Sequence, residues 1–233
     1  MKLEKYKKNY ISNFIISIDL ENNLVESEYE NILEMLSKNY PIKEKVDSLI
    51  NKNILYNIKR TERITINNNS ILYESLNYAS FSKIKPILEK IFLFLKNNCE
   101  IKSFNRISLR YINLIRKNFK EKEDIFDWKG YINSQLLFET DLINTQNILQ
   151  QIQTIEFKLD YETDLLCRLQ FGIPNRNMPA DLMEKVFLID IDGFTNSTVE
   201  QPDVMNILDI IHQKNTLIFE KCIDDKLRRE MNE

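Results

Sequence analysis

Glycine is almost missing from this chain: 233 residues carry 3, where ordinary usage of roughly 7% would give about 16. Gly130, Gly172 and Gly193 stand far apart. No phosphate-binding P-loop, dinucleotide G-x-G-x-x-G or G-x-S-x-G nucleophile elbow can be assembled from them. Histidine is scarcer still. With His212 as the single imidazole, a histidine-rich zinc site is excluded, and an acyl-transfer triad would have to be built on that one ring. The 3 cysteines, Cys99, Cys167 and Cys222, lack C-x-x-C spacing and lie in apolar surroundings, which fits buried, reduced thiols. Long apolar runs are absent too. The most apolar helical stretch, Ile84 to Leu95, contains Lys85, Glu89 and Lys90 and is too short to span a bilayer. The basic segment Met1 to Asn9 is not followed by an uninterrupted apolar stretch of the signal-peptide kind. The expectation is a soluble, cytoplasmic protein without membrane contact.

What is present is enough for a sizeable core: 43% of residues are hydrophobic and 29% charged. The 33 Ile and 27 Asn are a compositional bias rather than a functional signal. A net charge of −3 argues against a globally basic nucleic-acid coat, so a nucleic-acid role would require a local basic patch.

Alternation of Phe14, Ile16 and Ile18 with Ile15, Ser17 and Asp19 predicts a strand over 12–20. A helix should follow from Ser27 as N-cap, with Tyr29, Ile32, Leu33, Met35 and Leu36 on its buried side, closed by Pro41. Residues 42–60 are ambiguous. Ile64 and Ile66, the triplet Asn67-Asn68-Asn69, then Ile71, Leu72 and Tyr73 predict a hairpin whose turn exploits the tolerance of Asn for left-handed backbone. A strongly amphipathic helix covers 80–98. A long strand follows over 102–116, with Ile107, Leu109, Tyr111 and Ile115 facing one way and Arg106, Ser108, Arg110 and Arg116 the other. A short helix near 125–128 and a strand near 135–139 come next. Strands are expected at 153–159, 165–173 and 185–191, then one long helix from Pro202 to Arg229. The two halves, 1–101 and 102–233, share this order of elements. The sequence thus predicts an α+β fold, a tandem repeat of strand, helix, antiparallel strands and long helix, with helices packed on one face of an antiparallel sheet in one compact unit.

Two constellations carry candidate chemistry. Asp190 and Asp192 share a strand face because side-chain direction repeats every second residue. Such a pair could hold a divalent cation, divide acid and base roles, or simply belong to a solvent-facing sheet surface whose charges pair across strands, with Arg106, Arg110, Glu156, Lys158 and Arg168 as suitable partners. Arg106 and Arg110, with Arg116 further along, place fixed positive charge on one strand face, suited to phosphate or carboxylate, with Phe104 and Tyr111 nearby. His212 follows Asp209 by one helical turn, with Asp209 and Gln213 as its expected hydrogen-bond partners. No nucleophile accompanies it, so it reads as a half-buried structural histidine. Trp128 reads as a core anchor, and Gly193 as the residue that turns the chain beside the paired carboxylates.

Several of these segments together resemble an uncharacterised, sporadically distributed prokaryotic protein family. They are the first strand and its helix, Arg110-Tyr111-Ile112-Asn113, the strand Leu188-Ile189-Asp190-Ile191-Asp192-Gly193-Phe194, and the stretch His212 through Phe219-Glu220 to Arg228. The chain departs from that family in lacking its usual glycines and prolines in the early loops. The resemblance implies no activity and no cofactor. Its patchy distribution implies a partner subunit in defence-type or accessory gene neighbourhoods, and it marks Arg110, Asn113, Asp190 and His212 as recurrent positions. The expectation is therefore a non-catalytic binding or assembly subunit with a protein partner, contacting it through some of Arg106, Arg110, Asn113, Asp190, Asp192 and His212. The alternatives are nucleic-acid association through the arginine-bearing strand and, more remotely, a metal-dependent enzyme at Asp190 and Asp192.

Overall fold

A computed structural model describes residues 6–47, 52–137, 144, 147–160 and 164–233. β1 (Ile11–Leu20) is the strand expected from alternation, and every second residue from Phe14 to Leu20 is buried. α1 (Glu26–Ser37) starts two residues earlier than Ser27 as N-cap would set it, with Val25 at the cap. The cap works in reverse: Glu28 Oε2 accepts the Val25 N–H at 2.9 Å, and Glu26 and Glu28 put negative charge at the positive end of the helix. The ambiguous stretch resolves into β2 (Ile42–Asp47) and β3 (Lys52–Tyr56). β4 (Glu62–Ile66) and β5 (Ser70–Ser75) form the predicted hairpin.

Its turn works differently from the expectation. None of Asn67, Asn68 and Asn69 has positive φ. The Asn67 side chain instead accepts the backbone N–H groups of Asn69 at 3.0 Å and Ser70 at 2.6 Å, an Asx turn. The freed carbonyls of Asn68 and Asn69 then accept from Leu24 and Leu20, fastening the hairpin to the exit of β1.

α2 (Phe81–Asn98) and β6 (Ser103–Lys117) match their predicted spans closely. The expected strand near 135 is instead a short 3-10 turn at Ser134–Leu136, and residues 138–139 lie outside the described residues. β7 (Gln151–Asp160), β8 (Leu165–Ile173) and β9 (Lys185–Thr195) are the expected strands, and the two-residue β10 (Val199–Glu200) pairs with β6. The last helix is two helices, α3 (Val204–Cys222) and α4 (Asp225–Asn232). Ile223 is extended and bridges to Ile132, while the Asp224 side chain caps α4 by accepting the Asp225 N–H at 2.8 Å. The apolar spacing runs on through Cys222, Ile223 and Leu227, which hid the break.

The fold is α+β: one antiparallel ten-stranded sheet in the order β2-β3-β4-β5-β1-β6-β9-β8-β7, with β10 beside β6. On both sides of the central β1–β6 pair the chain goes first to the outer edge and then steps inward, strand by strand. The flanks differ, since four strands follow β1 on one side and three follow β6 on the other. The helices lie over one face. The largest core cluster joins Phe14, Ile16 and Ile18 of β1, Ile32 and Leu36 of α1, Leu88 and Ile91 of α2, Leu109 of β6 and Leu208 and Ile211 of α3, so it draws on both sides of residue 101. A second cluster, also on the helix face, centres on Trp128, Phe187, Ile189 and Leu227. Each such side chain contributes about 1.5–3 kcal/mol of apolar burial.

Gly193 lies inside β9 and turns nothing. A Cβ there would stand 2.6 Å from Ile211 Cγ2 and 2.7 Å from Asn215 Oδ1, so the missing side chain is what lets α3 approach the sheet.

Candidate functional site

The helix-free face collects the residues that point the other way. From strand register, a single row crosses the sheet: Tyr56, Arg63, Glu74, Ile15, Arg110, Asp192, Arg168 and Glu156. Neighbours within such a row stand about 4.5–5.5 Å apart, close enough for opposite charges to pair directly.

Much of the row pairs as its register dictates. Arg63 pairs with Glu74, whose carboxylate also accepts the Asn13 amide at 2.7 Å. Arg168 donates to Glu156 at 2.6 Å. The centre departs from register. Arg110 stands opposite Asp192 but reaches diagonally to Asp190, donating to both carboxylate oxygens at 2.8 and 2.5 Å. This charge-assisted fork holds the Arg110 guanidinium's pKa above its usual value. Arg106, stacked over the Phe194 ring at 4.5 Å, is the cation nearest Asp192, 3.6 Å from Oδ2.

Asp192 is thus flanked in register by Arg110 and Arg168, and both give their hydrogen bonds to other carboxylates. Its Oδ1 is buried and accepts no hydrogen bond. Burial pushes its carboxyl pKa above the ordinary range, against the pull of Arg106 and Arg110. Further along the same face lies a small apolar patch of Leu114, Val186 and Leu188, flanked by Ile112 and Ile152.

The six residues singled out from sequence fall into two groups. Arg106, Arg110, Asp190 and Asp192 converge on the helix-free face. Asn113 and His212 lie on the opposite side of the sheet. Asn113 is buried and donates to the Ile189 carbonyl at 3.1 Å. His212 does not bond Asp209, which is ion-paired with Lys85 between α3 and α2. Its Nδ1 instead meets the Tyr111 hydroxyl at 2.7 Å and its ring packs on Phe81 with centroids 4.7 Å apart. Burial lowers the pKa of this imidazole and raises that of Tyr111, so the hydrogen bond joins a neutral phenol to a neutral ring. Both side chains make their contacts within the fold. Arg168, Glu156, Arg63 and Glu74 were missed as members of the charged row, although Arg168 and Glu156 were legible as cross-strand partners.

Most charges of the face are paired with one another. Both Asp190 oxygens are taken by Arg110, so a cation bridging Asp190 and Asp192 would have to displace an arginine. Among the described residues no group of three or more His, Cys, Asp or Glu side chains is placed to hold a metal ion. The free thiols Cys99, Cys167 and Cys222 are buried, and burial pushes Cys99 up to about 11 and the other two up to about 12, which removes them as nucleophiles. No helix among the described residues is long and apolar enough to cross a membrane.

No protein-family model matches the chain, and no curated protein matches it. Among solved structures it is similar to Methanococcus jannaschii TBP, with 13% identity over 88% of this chain and 99% of that one, at a TM-score of 0.32. Superposition at that level carries nothing over from that protein to this chain.

Proposed function

We propose that the chain is a non-catalytic binding or assembly subunit that engages a protein partner through the helix-free face of its sheet. One observation carries this reading: Asp192 presents a desolvated carboxylate oxygen with no hydrogen-bond donor, in the middle of a face where the other acids of its row, Glu74 and Glu156, and its neighbour Asp190 are paired. A buried acceptor left unmade costs about 1–3 kcal/mol. A donor brought by a partner segment, such as a lysine, an arginine or a backbone N–H, would recover that cost once the side chains that cover the oxygen give way.

Charge balance favours protein over nucleic acid as the partner. Arg63, Arg106, Arg110 and Arg168 each have a carboxylate partner, and Asp19 adds a further negative charge beside Arg106, so the face carries no cationic excess to replace phosphate counterions. The resemblance described above adds the setting of a defence-type or accessory multi-protein system. The test is affinity capture from the native host with the wild type and with Asp192→Ala, each checked for an intact thermal transition. A protein retained by the wild type and lost from the variant is the expected result. Identical capture by both, salt-sensitive oligonucleotide binding weakened by Arg106→Ala with Arg110→Ala, or turnover of a nucleotide, nucleic acid or ester abolished by Asp190→Ala would overturn the reading.

A further inference from the structure

β7 is the outermost strand of its side of the sheet among the described residues, bonded to β8 alone. Its middle, Thr154 to Lys158, is exposed at five successive positions, so neither face nor edge of that stretch is covered. Ile155 is 46% exposed and Phe157 36%, whereas their cross-strand neighbours on β8, Leu169 and Cys167, are 7% and 0% exposed. Helical cover therefore ends at β8. The last strand is left with apolar side chains on one face and unpaired backbone along its edge, the combination that folded proteins ordinarily protect.

The geometry points to a second copy of this chain as the occupant, its β7 laid antiparallel against the first about a twofold axis through Phe157. A twofold perpendicular to the sheet keeps the helix face on one side, so residues that stand opposite must share parity and their numbers must sum to an even value. Five registers centre on the exposed stretch, and an axis at Thr154 sets each Glu156 against Ile152. An axis at Glu156 sets Glu156 against itself, and one at Lys158 sets Lys158 against itself. An axis at Ile155 sets Phe157 against Gln153 and Lys158 against Ile152. The axis at Phe157 sets each Glu156 against the other copy's Lys158, Ile155 against Leu159, and the two Phe157 rings against each other. That register brings opposite charges together on the open face, where Glu156 also holds Arg168 of its own chain, and apolar side chains together on the helix face. The opposite edge offers no equivalent, since an axis at Glu44, the middle of β2's charged stretch, would oppose Lys43 and Lys45.

Strand pairing of this length buries an area at the small end of stable interfaces, so the dimer should dissociate in the micromolar range. Sedimentation velocity of the full chain from low micromolar to several hundred micromolar should show a reversible monomer–dimer equilibrium. Glu156→Lys places Lys against Lys and Lys158→Glu places Glu against Glu, so either should weaken the dimer by about tenfold or more. The double swap Glu156→Lys with Lys158→Glu restores opposition and should restore the dimer. An equimolar mixture of the two single variants should associate more tightly than either alone. Phe157→Lys should leave a monomer, and a cooperative melting transition kept by each variant separates lost pairing from lost folding, with a lower midpoint for Glu156→Lys, which also loses its Arg168 pair. A wild type that stays monomeric throughout, single reversals that associate like the wild type, or a double swap that stays monomeric while folded would overturn the proposal.

Discussion

Gly193 of β9 lies directly beneath Asn215 of α3, so close that a methyl group on the glycine would stand 2.7 Å from the Asn215 amide oxygen. The Asn215 amide nitrogen meanwhile donates to the Leu109 carbonyl at 2.8 Å, tying the helix to the neighbouring strand β6. Gly193→Ala should therefore overpack the crossing and destabilise by about 1–3 kcal/mol in urea denaturation. Because the other close atom is Ile211 Cγ2, the penalty should be smaller when measured in an Ile211→Ala background. Equal penalties in the two backgrounds would refute the steric account.

Among the described residues Arg110 is the one hydrogen-bond donor to the Asp190 carboxylate, whose side chain is 6% exposed. Arg110→Ala strands that charge and should cost about 2–3 kcal/mol, less than a fully buried pair because the arginine itself is 40% exposed. Replacing both, Arg110→Met with Asp190→Leu, should recover most of the loss, since Asp190 stands beside Ile112 and two residues from Leu188. Chemical denaturation of the single and double variants checks both statements.

Asp192 titrates above its unfolded value because burial disfavours its charge. The charged form therefore costs stability above the raised folded value, and that cost fades as pH falls through it toward the ordinary carboxylate range. Asp192→Asn, which cannot ionise, should be more stable than the wild type by about 1 kcal/mol at neutral pH, with the difference shrinking in mild acid. Thermal melts of the two proteins across that pH range would show it, and a difference that grows in acid would contradict the assignment.

The His212 imidazole shifts the other way, downward, because burial disfavours the imidazolium. Its contribution to stability is fully present above the unfolded value of about 6.5 and is lost as pH falls through the lower folded value. His212→Gln should remove that acid-side slope from urea-denaturation free energies, at a cost of about 1–2 kcal/mol at neutral pH for the lost contacts with Tyr111 and Phe81. An unchanged slope would place the titrating group elsewhere.

Most elements were readable because their apolar residues recur with one clean period: Phe14, Ile16 and Ile18 at two, Ile84, Leu88, Ile91 and Leu95 at helical spacing. β2 was not readable, because Ile42-Lys43-Glu44-Lys45-Val46 is a largely exposed edge with little to bury. The break at Ile223 was hidden by an apolar stripe that continues across it. At the site, side-chain parity placed Arg106, Arg110, Asp190 and Asp192 on one face. Which arginine meets which acid depends on register between strands some 80 residues apart, and then on a diagonal choice that departs from register. Parity also placed Asn113 on the far side with Tyr111, and the sequence resemblance grouped it with the charged residues all the same.

β1 occupies the middle of the sheet, yet it leaves the ribosome before any strand it will pair with. Its neighbours are β5, beginning at Ser70, and β6, which ends at Lys117. At roughly 5–20 residues per second of synthesis, the chain's most regularly alternating apolar strand waits several seconds with both edges bare. Closing those long loops comes before any pairing rewards it, which slows folding. Nascent copies crowded on one messenger would first meet one another through Phe14, Ile16 and Ile18, so aggregation during expression should track translation speed and synthesis temperature more than the stability of the finished fold.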